Sequence, residues 1–313
     1  MLAIILRRLL ASIPLVLVVT LLAFLLNQLA PGDLAATIVG ADASREQYET
    51  LRQQLGLDQP LLWQYGAWLV QALQGDLGTS FFTGERVADL LNERLAVSLC
   101  ILAGLLLVCV SAGLVLGVAS ALRGGWVGRA IDTLSLVGLV FPSFWLALVL
   151  ISVFAVWLQW LPATGYTRFS DDPWEWLLGL VLPVLSVSMY SITSVAKQTR
   201  DAMADVMGRD FIRALRASGV PERSVVWKHG LRNAALPVVT VLGLVLIAGI
   251  GGTVFVERIF VLPGLGSLAV SAAQSKDVVL LQGVTLYFTL ITIVINLLVD
   301  LSYGWLNPKV RGQ

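Results

Sequence analysis

Six stretches of this chain run without a charged side chain for long enough to cross a bilayer: residues 9–32, 95–122, 133–167, 176–196, 233–256 and 278–299. A helix needs about 20 mainly apolar residues to span the hydrocarbon core, and there every backbone N–H and C=O must be bonded within the element. The pattern predicts an all-α integral membrane protein with six transmembrane helices. Only 13% of the 313 residues are charged, against roughly 25% in soluble domains. Pro162 and Gly165 place the end of the third span near Trp160. Pro142 and Pro183 fall inside spans, where neighbouring helices can re-satisfy the backbone that a proline frees.

Arg7 and Arg8 precede the first stretch in the manner of a signal peptide. The uncharged run exceeds the usual apolar region of roughly 7–15 residues, and no small-x-small cleavage site follows. It is read as a membrane helix. Residues 1–30 then form the first helix, 31–94 a small extracytoplasmic subdomain, and 95–313 the membrane core. Within 31–94, helical turns are expected near 44–55. Leu61, Tyr65, Trp68, Leu69 and Ala72 recur at helical spacing and predict an amphipathic helix lying at the interface. Residues 259–275 contain Pro263, Gly264 and Gly266, which predicts a short loop dipping toward the membrane.

Orientation follows from Lys and Arg in the short loops. With the N-terminus inside, 14 of the 21 basic residues fall on the inner side, so both termini are expected in the cytoplasm. Four of the other seven lie in residues 31–94, a long segment where that rule counts little.

Residues 201–237 read DAMADVMGRDFIRALRASGVPERSVVWKHGLRNAALP. Two short helices are expected. The first covers about 210–218 and ends at Gly219, a favoured C-terminal residue. The second begins at Pro221 with Glu222 in its first turn and closes at Arg232. Phe211, Ala214, Leu215 and Ser218 are expected to share one face of the first helix, with Ala214 and Ala217 small enough for close approach by a partner.

That segment resembles the EAA loop of ABC importer permeases, the element that inserts into a groove of the ATPase subunit. It is most similar to the dipeptide/oligopeptide/nickel branch, through "DFIRALRASG" and "KHGLRNAALPVV". Those permeases typically show Arg-x-Ala-Lys-Gly-Leu. Here Arg216–Ala217–Ser218–Gly219–Val220 stands in its place, and Arg213 sits about where the general motif has glutamate. The resemblance continues through "RRLLASIPLVLVVTLLAFLL", "GDLGTS", "FPSFWLALVL", "WLPATGY", "FVERIFVLPGLGSLAVSA" and "NLLVDLSYGWLNPKVR", in order along nearly the whole chain. The long first outer loop is similar to that of the B-type subunit.

The resemblance implies a type I ABC importer permease-like fold in the bacterial inner membrane, with residues 200–235 as a cytoplasmic coupling loop. It implies a second permease subunit, two ATPase subunits that bind ATP and Mg, and an extracytoplasmic substrate-binding protein. Arg213, Ala214, Leu215, Arg216, Ala217, Ser218, Gly219 and Val220 would couple to the ATPase. Asp76, Glu257 and Arg258 would contact the binding protein or form an outer gate, with Glu257 and Arg258 either a gate or a solvated pair. Ser186, Tyr190 and Thr193 share a helical face, as do Thr285, Thr289 and Thr292; these are the pore candidates. The substrate implied is a di- or oligopeptide, with nickel or a nickel chelate as the alternative.

Other functions fit poorly. None of Lys197, Lys228, Lys276 and Lys309 follows a glycine, so no phosphate-binding loop exists and the chain itself needs no cofactor. The central parts of the spans lack the ionisable residues that mark ion-coupled carriers. One histidine, His229, and two cysteines, Cys100 and Cys109 inside one apolar run, build neither a metal site nor a catalytic triad. A net charge of +1 gives no nucleic-acid signature.

Overall fold

The structure is a computed structural model and describes residues 2–29, 44–54, 56, 58–123, 125, 126, 128–130, 133 and 141–306. Among these residues there is no β-strand, only an isolated bridge between Thr79 and Arg86. The helices are α1 (Leu2–Leu29), α2 (Arg45–Gln54), α3 (Leu61–Leu73), α4 (Val87–Arg123), α5 (Ser143–Trp157), α6 (Pro173–Met207), α7 (Asp210–Ala217), α8 (Glu222–Ile259), α9 (Leu265–Ser275) and α10 (Val278–Leu306). Five of them, α1, α4, α6, α8 and α10, are long and apolar enough to cross a membrane, and α5 is a shorter apolar helix. A π-helical segment lies inside α4 (Cys109–Gly113) and inside α8 (Val225–Gly230), and another forms the C-terminal half of α5 (Ile151–Trp157).

Several expected boundaries move, each for a local reason. Pro142 does not kink a span; it stands in extended conformation just before α5. Proline lacks the donor that a helix interior needs but is harmless at a helix start. Apart from Thr133, the expected part of that span at residues 131–140 lies outside the described residues. Helix α6 runs well past residue 196. Asp172 caps its start, accepting from the N–H groups of Trp174 at 2.8 Å and Glu175 at 3.1 Å. Its charged extension keeps an apolar stripe, because Ala202, Met203 and Val206 are buried while Lys197, Asp201 and Asp205 face outward. The second helix of the polar segment does not close at Arg232 either. Residues 222–259 are one helix, continuing through the π-helical segment at Val225–Gly230, with Pro237 inside it. The polar connection thus shrinks to the residues between Met207 and Glu222. Residues 259–275, expected as a loop, contain α9. Pro263 and Gly264 break the chain, but Leu265, Leu268 and Ala272 recur at helical spacing and are buried.

Two compact units divide the chain: residues 1–6, 98–262 and 294–313 form one, and residues 7–97 and 263–293 the other. In the first, α6 packs against both α4 and α8. Glycines set those contacts. A Cβ added at Gly104 would lie 2.6 Å from Val184, one at Gly113 2.8 Å from Val195, and one at Gly117 2.5 Å from the carbonyl oxygen of Ala196. Small residues let membrane helices approach backbone to backbone, where packing replaces the hydrophobic driving force that lipid removes.

In the second unit, α3 is tied to α1. Tyr65 and Thr20 share a hydrogen bond of 2.9 Å between hydroxyls, and the rings of Tyr65 and Phe24 sit 5.8 Å apart. The amide of Gln282 donates to the Thr20 carbonyl at 2.8 Å. Helix α2 opens with a reciprocal cap: Ser44 N–H donates to the Gln47 side chain, and Gln47 N–H to the Ser44 hydroxyl. The loop after α3 is pinned by Ser80, whose hydroxyl donates to buried Asp277 at 2.6 Å. Asp277 in turn caps α10 by accepting from Leu280 N–H at 3.0 Å.

Candidate functional site

Helix α7 is built to stand at the surface while anchored from beneath. Ile212 is fully buried in a cluster with Val118, Ala202, Met203, Val206, Val225, Val226 and Ala234, and Leu215 and Val220 pack against that cluster. The helix ends in a Schellman turn. Gly219 N–H bonds the Arg216 carbonyl at 3.0 Å, and Val220 N–H bonds the Leu215 carbonyl at 3.2 Å. Gly219 takes the left-handed conformation at φ +76° that this turn requires. The hydrophobic contact that accompanies such a turn joins the residues at Leu215 and Val220, and here both turn inward.

The expected shared face is therefore corrected. Leu215 points into the protein with Ile212, whereas Phe211, Ala214 and Ser218 remain exposed. Residues 211, 214, 215 and 218 do follow one helical face, but the buried face runs through Ile212 and Leu215. The signal for Ile212 was its i, i+3 spacing to Leu215 and the apolar residue just past Gly219. Around the exposed face, Arg213 pairs with Asp210, and Arg216 makes a two-pronged bond to Glu222 at 3.0 and 2.6 Å. That bond holds the Glu222 carboxyl below the ordinary carboxylate range and raises Arg216 further. It also joins the end of α7 to the start of α8, bridging the turn at Gly219. Arg213 and Ala217 stay exposed, so α7 offers small, aromatic and basic side chains on one outward surface.

The pore candidates divide. Ser186 and Thr193 are buried and turn their hydroxyls back on α6, donating to the carbonyls of Leu182 and Tyr190 at 2.7 Å each. Thr285, Thr289 and Thr292 do the same on α10, bonding the carbonyls of Leu281, Thr285 and Phe288. Tyr190, although it shares α6 with Ser186 and Thr193, is the exposed one of the three, at 45%.

Glu257 and Arg258 are not a solvated pair. Glu257 has no exposure at all and accepts from the Ser98 hydroxyl at 2.6 Å, binding α8 to α4, while Arg258 is exposed. A period-3.6 helix turns neighbours about 100° apart, which sends one residue inward and the next outward. Glu257→Leu removes the charge-assisted hydrogen bond from the Ser98 hydroxyl that braces α8 against α4, at a cost of about 1.5–3 kcal/mol. Glu257→Gln keeps an acceptor. Thermal melting of the purified protein is expected to fall clearly for the leucine variant and much less for glutamine. Equal melting of both would remove the bracing role. Asp76 is exposed and accepts from Gly78 N–H at 2.9 Å, shaping the turn between two positive-φ glycines, Gly75 and Gly78.

The chain is similar to known proteins along its length. Residues 113–312 match the family described as binding-protein-dependent transport system inner membrane component, and residues 1–102 match the N-terminal family of such membrane components. A putative peptide transport system permease of Brucella abortus is 41% identical over 312 residues, covering 99% of each chain. A probable peptide ABC transporter permease of Sinorhizobium fredii is 37% identical, covering 98% of each. A glutathione transport system permease of Salmonella choleraesuis is 39% identical, covering 99% of each. With five long apolar helices, a shorter one and no strand among the described residues, the chain is a multi-pass permease and belongs to the binding-protein-dependent transport system inner membrane component family.

Proposed function

We propose that this permease moves di- or oligopeptides inward, driven by two separate ATPase subunits that bind ATP and Mg, together with a second permease and an extracytoplasmic binding protein. The full-length identity to relatives named for peptide and glutathione transport is the observation that carries this reading. In it, α7 is the coupling helix and both termini lie in the cytoplasm. The exposed face of Phe211, Arg213, Ala214, Ala217 and Ser218 meets the ATPase. Ile212, Leu215 and Val220 transfer its displacement into α6 and α8 through the buried cluster. Arg216 and Gly219 keep the α7–α8 turn stiff. Asp76 and Arg258, both exposed, are available to the binding protein, whereas Glu257 acts from within by holding α8 to α4.

Reconstitution of the whole importer tests the substrate. ATP-dependent, vanadate-sensitive uptake of labelled di- to tetrapeptides is expected. Nickel uptake without peptide uptake would overturn the reading.

Gly219 tests the coupling turn. No atom lies within 4 Å of a Cβ added there, so bulk alone is tolerated and the left-handed backbone decides. A β-branched residue in that conformation costs about 1–2 kcal/mol, and asparagine less. Gly219→Val is expected to cut peptide-stimulated ATP hydrolysis severalfold, while Gly219→Asn stays near the unsubstituted protein. Equal activity of both would dismiss the turn as a coupling element.

A further inference from the structure

One cavity of about 250 Å³ opens in the unit formed by residues 98–262, between α5, α6 and α8. Its lining includes Phe141, Pro142, Val187, Tyr190, Ala248 and Gly252. Three observations bear on what fills it.

The first is the depth of Tyr190. Along α6 it lies seven residues before Lys197 and fifteen after Glu175, which at 1.5 Å per residue is about 10 and 22 Å from the flanking charges. That is within the hydrocarbon region, whereas membrane tyrosines favour the interface. Among the described residues its hydroxyl has no hydrogen-bond partner, and its own carbonyl is taken by Thr193 and Ser194. A hydroxyl facing lipid tails at that depth forfeits its hydrogen bonds. A polar visitor or water at this wall restores them.

The second is how the concavity is kept open. A Cβ at Gly249 would meet Leu105 at 2.6 Å, so α8 is pressed onto α4 at that point. One turn on, a Cβ at Gly252 would sit 3.4 Å from Val187 and 3.8 Å from Ser143, in ordinary contact. Ala248 and Gly252, four apart on one face, carry at most a methyl group and so leave the wall of the cavity recessed. Phe141 stacks on Trp145 at 4.5 Å with planes 16° apart, giving a rigid aromatic edge.

The third is size. A cavity of about 150 Å³ lined by apolar groups takes benzene, whereas pockets for whole drug-sized ligands start at roughly 300 Å³. The observed volume suits one large side chain, not an entire peptide.

Resting on the peptide reading above, we infer that this cavity receives one apolar or aromatic side chain of the passing peptide, while the Tyr190 hydroxyl bonds the peptide backbone beside it. Selectivity for side-chain size then resides partly in the permease.

The test uses the reconstituted importer with its binding protein unaltered. Ala248→Leu and Gly252→Val fill the cavity, and the readout is the ratio of Ala-Phe to Ala-Ala uptake. Steric exclusion of this kind is expected to lower that ratio about tenfold; an unchanged ratio overturns the assignment. Separately, Ala248→Cys is treated with a water-soluble, membrane-impermeant thiol reagent and compared with the background of native Cys100 and Cys109. Labelling above background is expected in at least one nucleotide state. Its absence in all of them means that a lipid tail or the second permease seals the cavity, which also overturns the assignment. If the unsubstituted importer moves neither peptide with ATP, the peptide reading itself fails and the cavity assignment with it. Intact uptake with an unchanged ratio removes the cavity assignment alone.

Discussion

Replacing Ile212 with alanine is expected to detach α7 from the protein and reduce ATP-driven uptake at least tenfold. Truncating a fully buried isoleucine costs about 2–5 kcal/mol, and Ile212 is the innermost contact of a helix only eight residues long. Isolated helices of that length are not stable in water, so α7 depends on this anchor. Limited proteolysis should open the segment between Met207 and Glu222 in Ile212→Ala, with the membrane helices intact. Phe211→Ala gives the contrasting outcome. Phe211 is exposed, turned about 100° round α7 from Ile212, so the protease pattern is unchanged while retention of the ATPase on purification falls. Full uptake and full protease protection in Ile212→Ala would show that α7 is held by something other than the buried cluster.

Gly117→Leu is expected to leave less than about a tenth of the protein in extractable, monodisperse form. An added Cβ would approach the Ala196 carbonyl oxygen and the Thr199 Cβ at 2.5 Å each. A backbone carbonyl cannot step aside as a side-chain tip can. Overpacking costs about 1–3 kcal/mol even where some adjustment is possible, and here α4 and α6 must separate. Gly251→Ala is the matched control on another membrane helix, because no atom lies within 4 Å of its added Cβ. Its yield after gel filtration should match that of the unsubstituted protein. Comparable recovery of Gly117→Leu would show that the α4–α6 contact is soft.

Uncharged length made the membrane helices legible, since burial in lipid leaves the same mark on every face of a spanning helix. Where charge reappears, that mark ends but the helix does not. The uncharged run ends at residue 196, yet α6 continues to Met207 because an apolar stripe through Ala202, Met203 and Val206 has a partner surface. Charge likewise placed the expected stop at Arg232. Gly219 was legible because a left-handed helix end has a distinctive residue preference. Ile212 was not, because choosing between it and Phe211 requires knowing which side carries Val225 and Val226. The glycines facing α6 look alike in sequence to Gly251, which faces open space; only the neighbouring helix distinguishes them. Tyr190 was named with Ser186 and Thr193, but a shared helical face says nothing of which hydroxyl folds back on its own backbone.

Helix α8 carries two distant features on one piece of backbone. Glu222, bonded to Arg216, begins it, and Gly252 at the cavity wall lies thirty residues on, about 45 Å away at 1.5 Å per residue. Between them the Val225–Gly230 segment widens the coil, and such a π-turn holds one residue more than the α-helix around it. That surplus is slack. Shifted along the helix, it would turn only the residues it passes, by about a residue's worth of arc, roughly 100°, and leave the shaft beyond facing as before. The end of α8 beside α7 can therefore re-seat while the alanine and glycine at 248 and 252 keep their facing toward Tyr190.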